Sequence, residues 1–464
     1  MSRSCPVQTP TSFSSIIILT HNKLEYTQAC IESIRQHTTP GTYEIIVVDN
    51  NSTDDTIAWL SIQNDIVCIF NDVNVGFPAG CNQGIRAARG ENVVLLNNDT
   101  VVTPNWLNNL LLCLYSAEDI GAVGPVTNNA SYAQSIPVSY QTLDEMRQFA
   151  KEYNQHDPQK WEQRLKLVGF CLVVKRKVID QIGLLDERFS PGNFEDDDFS
   201  LRILEAGYRL ILCRDTFIHH YGSTTFKDNV RAFNQLLLQN AKKFKDKWGF
   251  DSGYSLNIRY DVLQLMNHHD RNEEIKVLEI GCACGGTLLQ IKNMYPRAKL
   301  YGVELNARAA AVASHFADVR AMDVEGQIDF EKDFFDYIIF ADVLEHLYDP
   351  WTVVKKFRDH LRATGMLLAS IPNVMHYSLI RDLINGNWTY TDAGLLDRTH
   401  VRFFTLREID KMFAEAGYSR REYSATTLVP NEVDKAWVKA LAQISVLKSE
   451  DQFNAYQYLC KVWK

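Results

Sequence analysis

Long apolar runs are absent from this 464-residue chain, and none approaches the about 20 residues that a membrane-spanning helix needs. The stretch from Met1 to Ser15 also lacks the basic start and apolar core of an export signal. Ten cysteines are scattered without the even spacing of a disulfide framework, which favours a reducing compartment. We therefore expect no transmembrane segment, no export and a cytoplasmic location.

An excess of positive charge is lacking as well. The formal net charge is −9, which argues against a broad nucleic-acid-binding surface, so we expect no nucleic-acid partner. A local exception is the run Lys242, Lys243, Lys245 and Lys247. This run leaves open a peripheral contact with the inner face of the cell membrane, although a solvated helix face is the simpler interpretation.

Two series of alternating strand-like and helix-like segments fill the chain, one at residues 15–126 and one from residue 275 onwards. Strands that alternate with helices predict mostly parallel, Rossmann-like α/β sheets, and the length suits two or three domains. We predict a flexible tail at 1–14, a first α/β domain at 15–250, a linker or helical lead-in at 251–272, and a second α/β domain at 273–464.

In the first series, acidic residues follow apolar strands. Asp49 follows residues 44–48, and Asp99 lies in the run Asn97-Asn98-Asp99-Thr100 after residues 92–96. A carboxylate at the carboxyl end of a strand can bind a nucleobase or ribose, or hold Mg²⁺ or Mn²⁺ beside a diphosphate. Alone, the Asp49 segment is also typical of a capped helix start, and a single acid such as Asp99 is more often a turn residue.

Further along, Glu195-Asp196-Asp197-Asp198 places four carboxylates side by side, and His219-His220 follows the strand-like residues 210–218. Adjacent carboxylates repel one another, so such a run between aromatic residues implies a nearby cation or a proton to be accepted.

Residues 15–249 resemble the family 2 glycosyltransferases of GT-A fold, especially the bacterial surface-polysaccharide type. The matching motifs are Thr20-His21-Asn22, Val48-Asp49-Asn50-Asn51-Ser52, Asn74-Val75-Gly76-Phe77-Pro78-Ala79-Gly80-Cys81-Asn82, Leu96-Asn97-Asn98-Asp99-Thr100, Phe194-Glu195-Asp196-Asp197-Asp198 and His219-His220-Tyr221-Gly222.

This resemblance implies an inverting, metal-dependent sugar transfer from a nucleoside diphosphate sugar of UDP or dTDP type to a glycan or lipid-linked oligosaccharide. The implied roles are base contact for Asp49, Mn²⁺ or Mg²⁺ binding for Asp99 and His219, general base for Asp196, and donor binding for Thr20, Asn82 and Asn97. Only the last acid of the family's metal motif is retained, and spacing alone does not separate His219 from His220.

The second series opens with a glycine turn, Glu279-Ile280-Gly281-Cys282-Ala283-Cys284-Gly285, between a strand and a helix. Missing side chains there let the backbone approach a ligand closely. Glu304 ends the next strand, where an acid suits a ribose diol. A dinucleotide site uses the same arrangement, so these residues alone leave an NAD-binding oxidoreductase open.

Residues 254–464 resemble class I methyltransferases that use S-adenosylmethionine, through Asp323 and the run Phe335-Asp336-Tyr337-Ile338-Ile339-Phe340-Ala341-Asp342-Val343-Leu344-Glu345-His346-Leu347. The resemblance implies that the methyl donor is bound by Glu279, Gly281, Gly285, Glu304, Asp323 and Asp342. Residues 370–376 and 395–405 resemble methyltransferase modules attached to bacterial sugar-transfer enzymes, which points to a sugar hydroxyl as the acceptor.

A hydroxyl acceptor needs a group that takes its proton, and the candidates are His346, His400, His376 and Asp397. Structural hydrogen bonding is an equal alternative for the histidines.

The expected protein is thus a bifunctional enzyme of surface polysaccharide biosynthesis. The alternative is an active glycosyltransferase whose second domain serves only for binding or scaffolding. That alternative is disfavoured by four retained acids, Asp99, Asp196, Glu279 and Glu304. An NAD-binding oxidoreductase is disfavoured because the sequence shows no obvious set of residues for hydride transfer.

Overall fold

The structure, a computed structural model, describes residues 12–222, 230–327, 329–428, 430–446 and 448–464. Most of the tail predicted at 1–14 lies outside these residues, and the first strand begins at Ser14. The chain divides into two compact units, of which the first ends at Leu256 and the second is Asn257–Lys464. None of the helices in the described ranges combines the length and the hydropathy of a membrane-spanning segment.

The strands of the first unit are β1 (Ser14–Thr20), β2 (Tyr43–Asp49), β3 (Ile66–Phe70), β4 (Asn92–Asn97), β5 (Thr100–Val101), β6 (Ile120–Val126), β7 (Trp161–Arg164), β8 (Cys171–Lys175), β9 (Arg209–Phe217) and β10 (His219–His220). Its helices are α1 (Leu24–His37), α2 (Thr56–Ser61), α3 (Phe77–Ala87), α4 (Trp106–Leu114), α5 (Leu143–Tyr153), α6 (Arg176–Ile182), α7 (Glu195–Glu205), α8 (Val230–Trp248) and α9 (Ser252–Ser255), with 3₁₀ turns at Pro158–Lys160 and Glu187–Phe189.

Within the described residues, one sheet of the first unit has the strand order β3-β2-β1-β4-β8-β6-β9-β7, and β10 pairs with β5 separately. β1 lies parallel between β2 and β4, as the alternating pattern predicts. Ile16, Ile18 and Val47 are fully buried, because strands covered by helices on both faces are apolar throughout. β8 runs antiparallel to both of its neighbours, so this sheet is mixed.

The strands of the second unit are β11 (Lys276–Ile280), β12 (Lys299–Glu304), β13 (Asp318–Ala321), β14 (Phe335–Ala341), β15 (Leu361–Pro372), β16 (Arg420–Thr427) and β17 (Ala455–Trp463). Its helices are α10 (Tyr260–Leu263), α11 (Gly286–Met294), α12 (Ala307–Ala313), α13 (Pro350–Arg358), α14 (Tyr377–Ile384), α15 (Leu406–Glu415), α16 (Glu432–Ile444) and α17 (Asp451–Asn454), with a 3₁₀ turn at Leu344–His346.

The sheet of the second unit has the order β13-β12-β11-β14-β15-β17-β16. The strands from β13 to β15 are parallel, and β17 is antiparallel to both β15 and β16. The prediction of two α/β domains is therefore confirmed. The stretch expected to be a linker, 251–272, is divided between the units, since residues up to Leu256 belong to the first.

Candidate active sites

A cleft of about 380 Å³ opens at the carboxyl ends of β1 and β4 in the first unit. Four residues predicted for the donor or the chemistry line it, namely Thr20, Asn97, Asp99 and Asp196. His220 and Glu195 line it too. The carboxyl edge of an open α/β sheet is where such folds bind ligands.

Asp99 and His220 bring two hydrogen-bond acceptor atoms close together on the wall of this cleft. The Nε2 atom of His220 lies 3.2 Å from Oδ1 of Asp99, and both side chains are mostly buried. Nδ1 of His220 lies 2.8 Å from the carbonyl oxygen of Asn129, and a carbonyl can only accept, so Nδ1 carries the hydrogen. Two acceptor atoms then face each other, which requires a proton or a cation between them. A carboxylate oxygen and an imidazole nitrogen suit a divalent metal ion.

His219 is directed elsewhere. Its Nδ1 atom lies 2.7 Å from the hydroxyl oxygen of Tyr140, and burial together with His220 lowers the pKa of His219 to about 4. The side chain is therefore a neutral, buried partner of Tyr140. Between the two histidines that the sequence left unresolved, the geometry favours His220 over His219 as the partner of Asp99.

Asp49 and Asn82 are buried and have structural partners. The backbone N–H and the hydroxyl of Ser52 both donate to the Asp49 carboxylate, which closes the turn before α2. Asn82 donates to the carbonyl oxygen of Leu185 at 2.9 Å and accepts from the N–H of Leu185 at 3.0 Å. Asn82 thereby fastens α3 to a distant chain segment, a contact that the motif did not indicate.

The four acids of this run have different surroundings. Asp197 is neutralised by Lys166, with a 2.8 Å ion pair, and Asp198 by Arg202 at 2.9 Å and Lys247 at 2.5 Å. The expected nearby cations thus come from the protein itself. The other two acids, Glu195 and Asp196, face the cleft.

Asp196 lies in the first turn of α7, and its carboxylate accepts hydrogen bonds from the N–H groups of Gly169 and Asp197, each at 3.0 Å. Burial, then the negative charge of Asp197, raises the pKa of Asp196 to about 6, although Lys166 opposes the rise. A carboxyl group that titrates near neutrality is suited to take up a proton during a reaction.

Glu195 was missed as a separate functional candidate. Burial and the charge of Asp196 raise the pKa of Glu195 well above its usual range. Its Oε2 atom is buried and has no hydrogen-bond partner among the residues that the structure describes. A protonated carboxyl group here can donate a hydrogen bond into the cleft. Its place in the acidic run was the only signal in the sequence.

In the second unit, Glu279 is buried in β11 at 3% exposure, and burial raises its pKa to about 8. Its Oε2 atom has no hydrogen-bond partner within the described part of the chain. A buried acceptor left open in this way fits a ligand that brings a polar hydrogen. The adjoining glycines are required by the backbone, since φ is +66° at Gly281 and +81° at Gly285.

Glu304 ends β12 and is tied to the glycine turn. One carboxylate oxygen accepts from the N–H of Ala283 at 2.8 Å, and the other accepts from the N–H of Asn306 at 2.7 Å. Asp323 follows the adjacent strand β13, is exposed, and accepts from the N–H of Glu325 at 2.9 Å. Glu304 and Ala321 are paired in the register of β12 and β13, so Glu304 and Asp323 lie at the ends of neighbouring strands.

Asp342 connects several elements at the carboxyl end of β14. Its backbone adopts a left-handed conformation, with φ +56°. The carboxylate accepts from Arg259 at 2.5 Å, from the hydroxyl of Ser370 at 2.8 Å, and from Gln457. These three partners come from distant parts of the chain, and the motif gave no signal for them.

Of the four residues considered as proton acceptors, His346 and His400 lie close to Glu345. The ring centroids of His346 and His400 are 4.8 Å apart, and Nε2 of His400 lies 4.0 Å from Oε1 of Glu345. His376 instead caps α14 through Ser378, and burial lowers its pKa to about 4. Asp397 accepts from the N–H and the hydroxyl of Thr399.

Each unit therefore defines an α/β enzyme domain with its polar site at the carboxyl ends of parallel strands. Residues 15–183 match the model of glycosyl transferase family 2, and residues 253–422 match that of a methyltransferase domain. The chain carries a family 2 glycosyltransferase domain of GT-A-like fold followed by a Rossmann-like methyltransferase domain.

Each of the following three relatives covers less than half of this chain. The uncharacterized protein y4gI of Sinorhizobium fredii is 28% identical over 228 residues, 46% of this chain and 25% of its own length. The O-antigen biosynthesis protein RfbC of Myxococcus xanthus is 26% identical over 232 residues, 47% of this chain and 18% of its own length. The ubiquinone biosynthesis O-methyltransferase of Psychrobacter arcticus is 28% identical over 159 residues, 32% of this chain and 60% of its own length. The chain thus spans a quarter or less of the first two relatives.

Among solved structures, the mannosyltransferase PcManGT of Pyrobaculum calidifontis, in complex with GDP-Man and Mn²⁺, has a TM-score of 0.38 and 20% identity, covering 52% of this chain and 67% of that one. A SAM-dependent methyltransferase of Archaeoglobus fulgidus has a TM-score of 0.33 and 16% identity, covering 48% of this chain and 99% of that one.

Proposed function

We propose that the chain is a bifunctional enzyme that transfers a sugar from a nucleoside diphosphate sugar and a methyl group from S-adenosylmethionine, both in the synthesis of a surface glycan. The observation that carries the first activity is the convergence of Asp99, His220 and Asp196 on one cleft. The name of the O-antigen relative supports a glycan or lipid-linked oligosaccharide as the acceptor.

In the first domain, Asp99 and His220 would hold Mn²⁺ or Mg²⁺. When bound, the ion neutralises the charge that develops on the departing diphosphate of a UDP or dTDP donor. Asp196 accepts the proton of the attacking hydroxyl as the general base, because its raised pKa gives the carboxylate proton affinity near neutral pH. The single general base proposed in this cleft supports inversion at the anomeric carbon. Thr20 and Asn97 line the cleft and would contact the donor, while Asp49 accepts from the N–H of Ser52 in the turn before α2.

In the second domain, Glu279, Glu304, Asp323 and the turn at Gly281 and Gly285 would hold S-adenosylmethionine. The open Oε2 atom of Glu279 and the carboxylate of Glu304 at the strand end are the features that fit it. Asp342 closes the site through Arg259 and Ser370. We assign His346 and His400 to the side of this site that meets the hydroxyl receiving the methyl group.

A ligand-binding panel tests both halves. The full chain is titrated by calorimetry with UDP- and dTDP-sugars in the presence of Mn²⁺, and separately with S-adenosylmethionine and NAD. We expect heat with one class of nucleotide sugar and with S-adenosylmethionine. Binding of NAD in preference to the methyl donor would refute the second assignment, and nucleotide-sugar binding without any methyl-donor binding would support a scaffolding role for the second domain.

A further inference from the structure

The cluster Glu345, His346 and His400 in the second unit has the composition and spacing of a metal site. One potential ligand atom from each residue lies within 4.8 Å of the others. Metal–ligand distances of about 2.0–2.2 Å to imidazole nitrogen and carboxylate oxygen allow ligand atoms of one ion to lie up to about 4.4 Å apart. A small movement of these side chains therefore closes the cluster around an ion.

The two imidazoles are held in the tautomer that metal binding requires. Nδ1 of His346 lies 3.2 Å from the carbonyl oxygen of Thr399, and Nδ1 of His400 lies 3.1 Å from that of Leu395. Because a carbonyl only accepts, each Nδ1 donates a hydrogen and each Nε2 keeps its lone pair. Metal-binding histidines characteristically donate the second ring N–H to a carbonyl or carboxylate in this way.

Glu345 supplies an independent indication of cation binding. The side chain is 1% exposed, and neither carboxylate oxygen has a hydrogen-bond partner among the described residues. A buried carboxylate without partners is costly, whereas one that coordinates a metal is compensated. The backbone carbonyl of Glu345 accepts from the N–H groups of Val401 and Arg402, which fixes the segment carrying His400 against the turn carrying Glu345 and His346.

We propose that Glu345, His346 and His400 bind a divalent transition-metal ion in the methyltransferase domain, separate from the ion assigned to Asp99 and His220. Two imidazoles and one carboxylate occupy one face of an ion and leave its other positions open. Ions that accept imidazole, such as Mn²⁺, Fe²⁺, Co²⁺ or Zn²⁺, suit this donor set better than Ca²⁺.

The open positions have a use in the activity proposed above, on which this part of the inference rests. Glu345 lies three residues after Asp342, at the carboxyl end of β14 where the methyl donor is expected. Two neighbouring hydroxyls of a sugar can occupy the open positions, and coordination lowers the pKa of a bound hydroxyl. The O–CH₃ bond forms as the S–CH₃ bond breaks, the sulfonium becomes a neutral thioether, and the hydroxyl proton passes to water.

The test counts Co²⁺ ions on the metal-stripped full chain, by calorimetry and by the visible absorption of bound Co²⁺. The first site is removed by Asp99→Ala in every sample. We expect one Co²⁺ per chain in this background, and loss of binding by more than about 100-fold when His400→Ala or Glu345→Gln is added, since even outer-shell partners of metal ligands contribute 10–100-fold. His268→Ala removes an exposed histidine of the same unit and serves as the matched control.

Glu345→Gln keeps the shape of the side chain and removes a buried charge, so its fold is expected to survive and is checked by circular dichroism. The proposal is overturned if the Asp99→Ala chain binds no Co²⁺, or if folded Glu345→Gln and His400→Ala chains bind it as tightly as the His268→Ala chain. S-adenosylmethionine is titrated in parallel. Methyl-donor binding without a Co²⁺ site would refute only the metal proposal, whereas absence of methyl-donor binding would refute the proposed function.

Discussion

At the scale of single residues, neighbouring carboxylates of one acidic run are proposed to have different roles because their partners differ. Asp198 forms ion pairs with Arg202 and Lys247. Within the described residues, Asp196 accepts hydrogen bonds only from backbone N–H groups, and it faces the cleft. The difference between a structural and a reactive acid thus depends on which cations reach it.

Replacing Asp196 by Asn should abolish most sugar transfer while donor binding is retained, because an amide keeps the shape but cannot accept the proton. General-base help contributes about 10²–10⁴ in rate. The wild-type rate should also fall as pH drops below about 6, where Asp196 becomes protonated. Initial rates across pH test both points, with the exposed Asp246→Asn as control. Near-normal turnover of Asp196→Asn would remove this residue from the role.

Glu279 provides a stability test at the same scale. Its pKa is about 8 in the folded chain against 4.5 as its ordinary value, so the folded state favours the neutral form. Stability from this difference is full below pH 4.5 and is lost as pH rises towards about 8.

The free energy of unfolding of Glu279→Gln should therefore fall less over this pH range than that of the wild type. The difference should be a few kcal/mol, because one pKa unit corresponds to about 1.4 kcal/mol. Denaturant unfolding of the ligand-free protein at several pH values measures it. Parallel curves for wild type and variant would contradict the buried-acid interpretation.

At the scale of elements, the short strand β10 separates two adjacent histidines. Successive residues of a strand point to opposite faces, so His220 reaches Asp99 while His219 reaches Tyr140. Its pairing with β5 places His220 opposite Thr100, the residue after Asp99.

His220→Ala should therefore weaken Mn²⁺ binding and sugar transfer, while His219→Ala should leave the metal in place and reduce thermal stability. Mn²⁺ titration of the two variants, with the melting temperature measured alongside, distinguishes the two histidines. Equal loss of Mn²⁺ binding in both variants would contradict the assignment to His220 alone.

In helix α8, too, the role of a charged side chain depends on its partners. Two of its four lysines in the run considered for membrane contact are used within the unit, since Lys243 donates to the carbonyl oxygen of Arg188 and Lys247 pairs with Asp186. These contacts favour the structural interpretation of the lysine run over an electrostatic membrane patch.

The sequence predicted the strands that are apolar throughout and the acids at their carboxyl ends, because both signals are local. It could not predict that β8 runs antiparallel, since an apolar run carries no direction. It also could not choose between His219 and His220, or connect Asp342 with Arg259 and Gln457, because strand register and long-range partners depend on the whole fold.

At the scale of the whole chain, the boundary between the two units lies after Leu256, within the stretch 251–272 that the sequence predicted as a linker. Leu256 is fully buried, the hydroxyl of Tyr132 donates to its carbonyl oxygen, and the hydroxyl of Ser252 donates to Asp197. Residues 251–256 therefore complete the first unit.

A fragment ending at residue 250 should be less stable than one ending at 256. Loss of the buried Leu256 side chain alone costs about 1.5–3 kcal/mol. Urea unfolding of the two fragments measures the difference, and equal midpoints would show that residues 251–256 contribute nothing to the first unit.

The second unit contains its own sheet and core, so a fragment of residues 257–464 should fold alone and bind S-adenosylmethionine. Glu304→Ala in this fragment removes the carboxylate expected at the ribose, and it should weaken binding by about 1.5–3 kcal/mol for each charge-assisted hydrogen bond lost. The same change frees the N–H groups of Ala283 and Asn306, so circular dichroism must first show that the variant is folded. Calorimetric titration of the wild-type and Glu304→Ala fragments with S-adenosylmethionine and with NAD measures both affinities. A well-folded wild-type fragment that prefers NAD, or a folded Glu304→Ala fragment that binds the methyl donor as tightly as wild type, would place the cofactor away from the strand end of β12.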